Sequence, residues 1–194
     1  MREYRARIVR EEDQVNNMDI SKIYKISTAK FFDNIEYFRE LNNVLINLCK
    51  EVFTNSYNSG GKEAGAILNL RTLEYGVKKP KYFDRINFCD CNDECKRIDK
   101  QSGNNECVTI HTHNSVSTFS LVDLTTLLTS ESTLAMVVVD SDANIHIMIK
   151  DANRDYTKFL AKISEYSWTD IIYPEIYNMY TSENIIYRRL TNES

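Results

Sequence analysis

Two histidines stand at a spacing that lets them bind one metal ion. His111 and His113 lie in a segment rich in β-branched and apolar residues, which predicts a strand. Side chains alternate between the two faces of a strand, so both imidazoles should project to the same side. Two imidazoles on one side can converge on a single metal.

A helix start follows these histidines after a short loop. Ser120-x-x-Asp123 before an apolar run is typical of a capping box, with Asp in place of the usual Glu. Asp123 then lies in the first helical turn, where the helix dipole favours a carboxylate, and the loop can bring it back toward His111 and His113. Two histidines, one carboxylate and a fourth position for water are the ligand set of a catalytic zinc. Either pattern alone is common without a metal, but their joint occurrence within residues 111–123 favours the metal site.

This stretch resembles the motif of the JAMM (MPN-type) zinc metalloproteases, which reads His-x-His-Pro, a spacer, and then Ser-x-x-Asp. That family also has an upstream glutamate at the head of a strand, and Glu63 stands at the corresponding place here. Two positions depart from the family motif: Asn114 replaces the proline, and the spacer between His113 and Ser120 is one residue shorter. Neither departure removes a ligand. The resemblance covers roughly residues 30–150.

The resemblance implies an α/β fold in which an MPN-like mixed β-sheet is packed between helices. It implies Zn²⁺ held by His111, His113 and Asp123, with water as the fourth ligand. It further implies Glu63 as a general base and then general acid, and Ser120 as a hydroxyl that stabilises the oxyanion. The expected reaction is hydrolysis of a peptide or isopeptide bond, including those of ubiquitin-like conjugates, so the expected partner is a protein or peptide substrate.

Two other functions stay open at this point. Many MPN-type domains lack ligands and serve as catalytically silent scaffolds, and Asn114 with the shorter spacer could close the site. The other hypothesis is a phage-associated or DNA-repair-associated binding domain. The presence of all the ligand types favours the hydrolase.

The overall composition is typical of a single globular domain. The chain has 194 residues, of which 42% are hydrophobic and 27% charged. Its net charge of −4 disfavours direct binding to nucleic acid. No apolar run is long enough to cross a membrane, and the N-terminal residues lack the apolar core of a signal peptide. We therefore expect a cytoplasmic protein that does not bind membranes.

The resemblance implies one JAMM/MPN-like domain over residues 20–194, and the charged residues 1–19, which lack apolar periodicity, are predicted to be a flexible N-terminal arm. Apolar residues at steps of three and four predict a long helix from Asp33 to the glycines at 60 and 61. The remaining segments before residue 150 are read as strands at 20–28, 66–70, 81–89, 108–113, 133–140 and 145–150, with a turn-rich connection at 69–79. An aromatic-rich C-terminal extension is predicted as helices over residues 153–190. His146, in the last of these strands, is predicted to be a partly exposed structural residue.

Four cysteines fall in a polar insertion over residues 89–107: Cys89, Cys91, Cys95 and Cys107. Their spacing lacks the paired C-x2-C units of strong zinc patterns. Three interpretations stay open. The cysteines could form a second, structural zinc site, a disulfide-bearing or redox loop, which a reducing cytosol disfavours, or a set of unpaired thiols.

Overall fold

The fold is built on a six-stranded mixed sheet. The computed structural model describes residues 18–26, 30–32, 35–82, 86, 94–164 and 180–190, apart from the side chains of residues 35–39. The strands are β1 (Gly65–Asn69), β2 (Tyr75–Lys78), β3 (Cys107–Thr112), β4 (Thr133–Val139), β5 (Ile145–Ile149) and β6 (Ile186–Leu190). Their order across the sheet is β2-β1-β3-β4-β5-β6. Strands β3 and β4 are parallel, and every other neighbouring pair is antiparallel.

Helices cover both faces of this sheet. They are α1 (Ile20–Tyr24), α2 (Ile35–Asn58), α3 (Glu94–Gln101), α4 (Leu121–Thr129) and α5 (Thr157–Ile163). One face packs against α1 and α2 around a core that includes Phe53 and Val137. The other face carries α4 and α5 over Met136 and Val138, and α3 over Ile67. The predicted α/β class, with a mixed sheet between helices, is confirmed.

Strand β4 shows how the two faces are assigned. Val137 and Val139 belong to the core under α1 and α2, whereas Met136 and Val138 belong to the core under α4 and α5. The strand is therefore buried on both faces, as its continuous apolar run predicted. Because His111 of β3 pairs with Val138, its side chain lies on the face that α4 covers.

The long helix and the strand that follows it are confirmed. Helix α2 ends at Asn58, and Gly60 beyond it has a φ of 73°. That left-handed conformation is easy for glycine and ends the helix. Asp33, where the helix was predicted to begin, lies outside the described residues.

The strand predicted over residues 20–28 is wrong, because residues 20–24 form helix α1. Asp19 caps this helix by accepting a hydrogen bond from the Ser21 N–H at 3.0 Å. Ile23 and Ile26 are both buried, and their spacing of three suits a helical turn better than a strand. Met18, which the sequence placed in the flexible arm, is buried as well and belongs to the core.

The turn-rich connection predicted over residues 69–79 contains strand β2. Asn69 closes the turn after β1, since its side-chain oxygen accepts from the N–H groups of Arg71 and Thr72, each at 2.9 Å. The chain then returns as β2 along the edge of the sheet. The strand predicted over 81–89 falls mostly outside the described residues.

The helices predicted over residues 153–190 are confirmed in part. Helix α5 lies in this range, but residues 186–190 form β6, which pairs with β5. Residues 165–179, which hold much of the aromatic-rich segment, lie outside the described residues. None of the described helices is long and apolar enough to span a membrane.

Candidate metal centre

The two histidines lie at the carboxyl end of β3. His111 pairs in register with Gly65 of β1 and Val138 of β4, and it is 3% exposed. His113 directly follows the strand, and its N–H donates to the carbonyl of Val139 at 2.9 Å. This bond extends the pairing of β3 with β4 to His113, so the backbone fixes the positions of both histidines.

The carboxylate comes from the first turn of α4. The Asp123 N–H donates to Ser120 Oγ at 3.2 Å, and the Ser120 N–H donates to Asp123 Oδ2 at 2.7 Å. This reciprocal pair is the capping box that the sequence predicted. Ser120 Oγ also donates to Asp123 Oδ2 at 2.7 Å. The three bonds fix the carboxylate at the helix start, and its other oxygen, Oδ1, lies 3.2 Å from His111 Nε2.

The ligand atoms of the three residues converge. His111 Nε2 and His113 Nε2 are 3.1 Å apart, and His113 Nε2 is 3.5 Å from Asp123 Oδ2. The two Asp123 distances use different oxygens, Oδ1 for His111 and Oδ2 for His113. One ligand atom from each of the three residues lies within 4.8 Å of the other two. A tetrahedral zinc with bonds near 2.05 Å separates its ligand atoms by about 3.4 Å, so three protein ligands at this spacing suit a zinc ion. No other three His, Cys, Asp or Glu residues of the described part of the chain come this close together.

Electrostatics couple the three groups. Burial lowers the pKa of His111, but the charge and hydrogen bond of Asp123 outweigh it, with a smaller contribution from Glu63, and leave this pKa raised. The pKa of His113 is lowered, because its burial outweighs the hydrogen bond that its ring donates to Asp123. Burial raises the pKa of Asp123, but His111 and His113 hold it well below its usual range. The carboxylate is therefore ionised at neutral pH, as a metal ligand must be.

A serine in the loop supports one of the histidines. His113 Nδ1 lies 3.0 Å from Ser117 Oγ, so the ring can donate its second N–H to this hydroxyl and direct Nε2 at the centre. Ser117 Oγ is in turn 3.0 Å from Ser115 Oγ. Sequence reasoning missed Ser117, although a hydroxyl four residues after His113 is a usable signal. His111 Nδ1 is buried and has no hydrogen-bond partner among the described residues.

Glu63 lies next to the centre but is not one of the three converging residues. Its N–H donates to the carbonyl of Tyr82 at 2.8 Å, and its side chain is buried. Continuing the register of β1 with β3 sets Glu63 opposite His113 and on the same face as both histidines. Its charge acts on the pKa of His111, which places the carboxylate within electrostatic reach of the ligands.

The described cysteines lie away from the histidines. Cys95 of α3 and Cys107 of β3 are buried in a small cluster with Ile67 and Ile98. The thiol of Cys107 donates to Ser102 Oγ at 3.0 Å, and burial raises its pKa. Within the described part of the chain, neither thiol is part of a disulfide. Cys89 and Cys91 lie outside the described residues, so the second zinc site stays a prediction.

His146 differs from its prediction, because it is 3% exposed rather than partly exposed. Its Nδ1 lies 2.8 Å from Tyr187 Oη, and its Nε2 lies 3.5 Å from Asp140 Oδ2. Strand β6 supplies Tyr187 and covers this side of β5. His146 is thus a buried residue in a second cluster on the same sheet face.

Comparison of the chain with protein-family models, with curated proteins and with solved structures gives no match in any of the three. The resemblance to the JAMM proteases consequently rests on the motif residues and their arrangement.

Proposed function

We propose that this protein is a zinc-dependent amide hydrolase of the JAMM type, which acts on a peptide or isopeptide bond. The observation that carries the proposal is the convergence of His111 Nε2, His113 Nε2 and the Asp123 carboxylate within 3.1 to 3.5 Å of one another. Three protein ligands of this kind leave a coordination position open, which distinguishes catalytic from structural zinc sites.

Bound zinc would polarise the substrate carbonyl and lower the pKa of a bound water toward about 7. Glu63 would accept the proton of the attacking water and later deliver it to the leaving amine. The register of β1 with β3 sets Glu63 opposite His113, and Glu63 is not one of the three converging residues, which suits a base rather than a ligand. Its burial keeps the side chain away from bulk water.

Ser120 would donate to the oxygen that becomes negative in the transition state. In the present arrangement its hydroxyl hydrogen is directed at Asp123 Oδ2, 2.7 Å away. To act on the substrate, Ser120 must turn this hydrogen away from Asp123, while the backbone N–H of Ser120 continues to hold the carboxylate. Substrate binding and the release of this hydrogen bond are therefore linked.

The same hydrogen bond supports a second candidate function, a metal-binding scaffold without activity. If Ser120 stays bound to Asp123, the site lacks a side-chain donor for the oxyanion, and the residues serve only to hold a metal and the loop. The two candidates differ in one measurable property, which is turnover by the zinc-loaded protein.

The test uses the zinc-loaded protein with a panel of peptide and isopeptide-linked substrates. Glu63→Gln keeps the shape and hydrogen-bonding capacity of the side chain but removes the base. We expect this variant to retain zinc and to hydrolyse its substrate roughly 10²–10⁴-fold more slowly than the wild type. Glu51→Gln, at an exposed position of α2, is the matched control and should keep full activity.

Two outcomes would count against the proposal. Equal hydrolysis by the wild type and Glu63→Gln would assign the base to another residue. A wild type that holds one zinc at the His111 site and cleaves nothing in the panel would favour the scaffold.

A further inference from the structure

The surface beside the candidate metal centre indicates what kind of substrate it accepts. Asp123 is the one Asp, Glu, Lys or Arg residue between positions 108 and 130, although such residues make up 27% of the chain. Two exposed apolar side chains flank the ligands: Val116 is 65% exposed and Val122 is 53% exposed. Single exposed apolar residues are common on protein surfaces, and they indicate a binding site only where further apolar surface adjoins them.

An uncharged groove of about 360 Å³ lies between α4 and α5. Its walls include Leu121, Val122, Thr125 and Thr126 from α4, and Leu160 and Ile163 from α5. No lining side chain of this groove carries a charge. The groove therefore offers apolar contact together with a few hydroxyl groups.

The lack of charge distinguishes this groove from a neighbouring cavity. A second cavity, of about 400 Å³, lies near the other end of α4 and α5. Its lining includes Glu131, Lys150, Asp151 and Arg154. Two cavities of similar volume on neighbouring surfaces thus differ sharply in charge, and the uncharged one shares the helix turn that carries the metal ligand.

The groove and the candidate centre share the first turn of α4, because Leu121 and Val122 line the groove and Asp123 is one of the converging residues. Val122 precedes Asp123 and stands about 100° around the helix from it, because α4 has 3.6 residues per turn. Helix α4, Leu121–Thr129, is about 13.5 Å long, which accommodates about four residues of an extended polypeptide.

Building on the proposed hydrolase function, we propose that the substrate is a polypeptide segment with uncharged, branched apolar side chains within about four residues of the scissile bond, seated in this groove. An apolar side chain gains by leaving water against Val122 and Leu160. A charged side chain would lose its hydration there without an opposite charge to replace it. The groove therefore selects apolar segments and rejects charged ones.

The first experiment measures preference with zinc-loaded wild-type protein. Fluorogenic peptides that differ only in carrying Leu, Lys or Asp are compared at each of four positions on either side of the cleavable bond. At one or more positions we expect kcat/KM for Leu to exceed that for Lys and Asp by roughly 10- to 200-fold, the range for apolar pocket contacts. Equal rates for the three peptides at every position would overturn the inference and leave the hydrolase proposal intact.

A reciprocal charge swap tests the position of the groove. Val122→Asp should improve the relative kcat/KM of the Lys peptide, and Val122→Lys that of the Asp peptide, each by about 10-fold. Zinc content is measured for both variants. Tyr75→Asp, at a 50% exposed position of β2 on the far edge of the sheet, is the matched control and should keep the wild-type preference. If both Val122 variants lose the Leu preference and neither gains the preference for the oppositely charged peptide, Val122 affects only the stability of the protein and the proposed position of the groove is wrong.

Binding separates this inference from the hydrolase proposal. Glu63→Gln protein is titrated with fluorescein-labelled Leu, Lys and Asp peptides, and anisotropy is followed. Tighter binding of the Leu peptide supports the groove even where the wild type cleaves no peptide, an outcome that would reject the hydrolase alone. Equal binding of all three peptides would overturn the groove.

Discussion

Two histidine–aspartate clusters lie on one face of the sheet, and they use their polar atoms differently. His111 and His146 pair with Val138 from opposite sides, so their strands flank the same residue of β4. Both histidines are 3% exposed. The burial of these two histidines therefore does not distinguish the two clusters.

In the second cluster, protein donors hold the carboxylate. The carboxylate of Asp140 accepts from the N–H groups of Asp142 and Asn144, each at 2.9 Å, and from Asn144 Nδ2 at 2.8 Å. His146 Nδ1 is bound to Tyr187. This arrangement stabilises the turn between β4 and β5, because three donors on one carboxylate fix the backbone around it.

The first cluster directs its ligand atoms at a common point instead. Both Nε2 atoms face Asp123, while Ser117 holds the other side of one ring. Both clusters contain a buried histidine beside an aspartate, but only in the first do the ligand atoms converge. This convergence therefore marks the candidate metal site. The two clusters also touch structurally, since the Ser141 N–H after Asp140 donates to the carbonyl of Ser115 in the metal loop at 3.2 Å.

The largest expected effect separates the clusters by zinc content. His111→Ala and Asp123→Ala each remove one of three protein ligands, so zinc affinity should fall by roughly 10²–10³-fold, given that a complete structural site provides about 10–16 kcal/mol. His146→Ala should retain full zinc, because its ring takes no part in the converging set. Elemental analysis after dialysis against a weak chelator measures the difference. Equal zinc content in all three variants would show that the two clusters do not differ in zinc binding.

A smaller effect is expected from the residue that orients His113. Ser117→Ala removes the hydroxyl that accepts from His113 Nδ1. Partners of this kind are worth roughly 10- to 100-fold in metal affinity, so zinc binding should weaken by that amount without being lost. Thr118→Ala, the neighbouring substitution, serves as the control. Competition with a chromophoric chelator gives both affinities, and equal values for Ser117→Ala and the wild type would remove Ser117 from the site.

The convergence of the ligands could be predicted from the sequence because it depends on local rules. The alternation of side chains along β3 and the capping box at Ser120 each involve residues close together in the chain. The distances between His111, His113 and Asp123 follow from these two rules and a short loop. Glu63 required the family resemblance, since only the pairing of β1 with β3 brings it to the histidines.

The error at residues 186–190 arose where pairing with a distant strand decides the structure. These residues were predicted to be helical, yet Ile186 and Tyr187 are residue types that favour strands, and the segment pairs with β5 as β6. His146 was predicted to be partly exposed. It is 3% exposed, and Tyr187 Oη lies 2.8 Å from its Nδ1, so the unpredicted strand supplies one of its neighbours.

The smallest expected effect concerns the second cluster and depends on pH. Asp140→Asn keeps the acceptor for the two backbone N–H groups but replaces the oxygen that accepts from Asn144 Nδ2. Burial raises the pKa of Asp140, but hydrogen bonds from His146 and Asn144 outweigh it and hold this pKa below its usual value. A carboxyl with a lowered folded-state pKa contributes stability that is complete above its unfolded pKa of about 4 and is lost as the pH falls through the folded value.

Urea unfolding of zinc-free wild type and Asp140→Asn, at a series of pH values from about 5 to 2, measures this contribution across that window. The variant should be less stable by about 1–2 kcal/mol at pH 5, the usual worth of a hydrogen bond to a charged group. The difference should shrink as the pH falls, because the wild-type carboxylate takes up a proton through its folded-state pKa. A difference that stays constant down to pH 2 would assign the effect to shape rather than charge. A variant that also fails to bind zinc at neutral pH would show that the turn at Asp140 holds the metal loop in place, and the two clusters would then have to be treated as one.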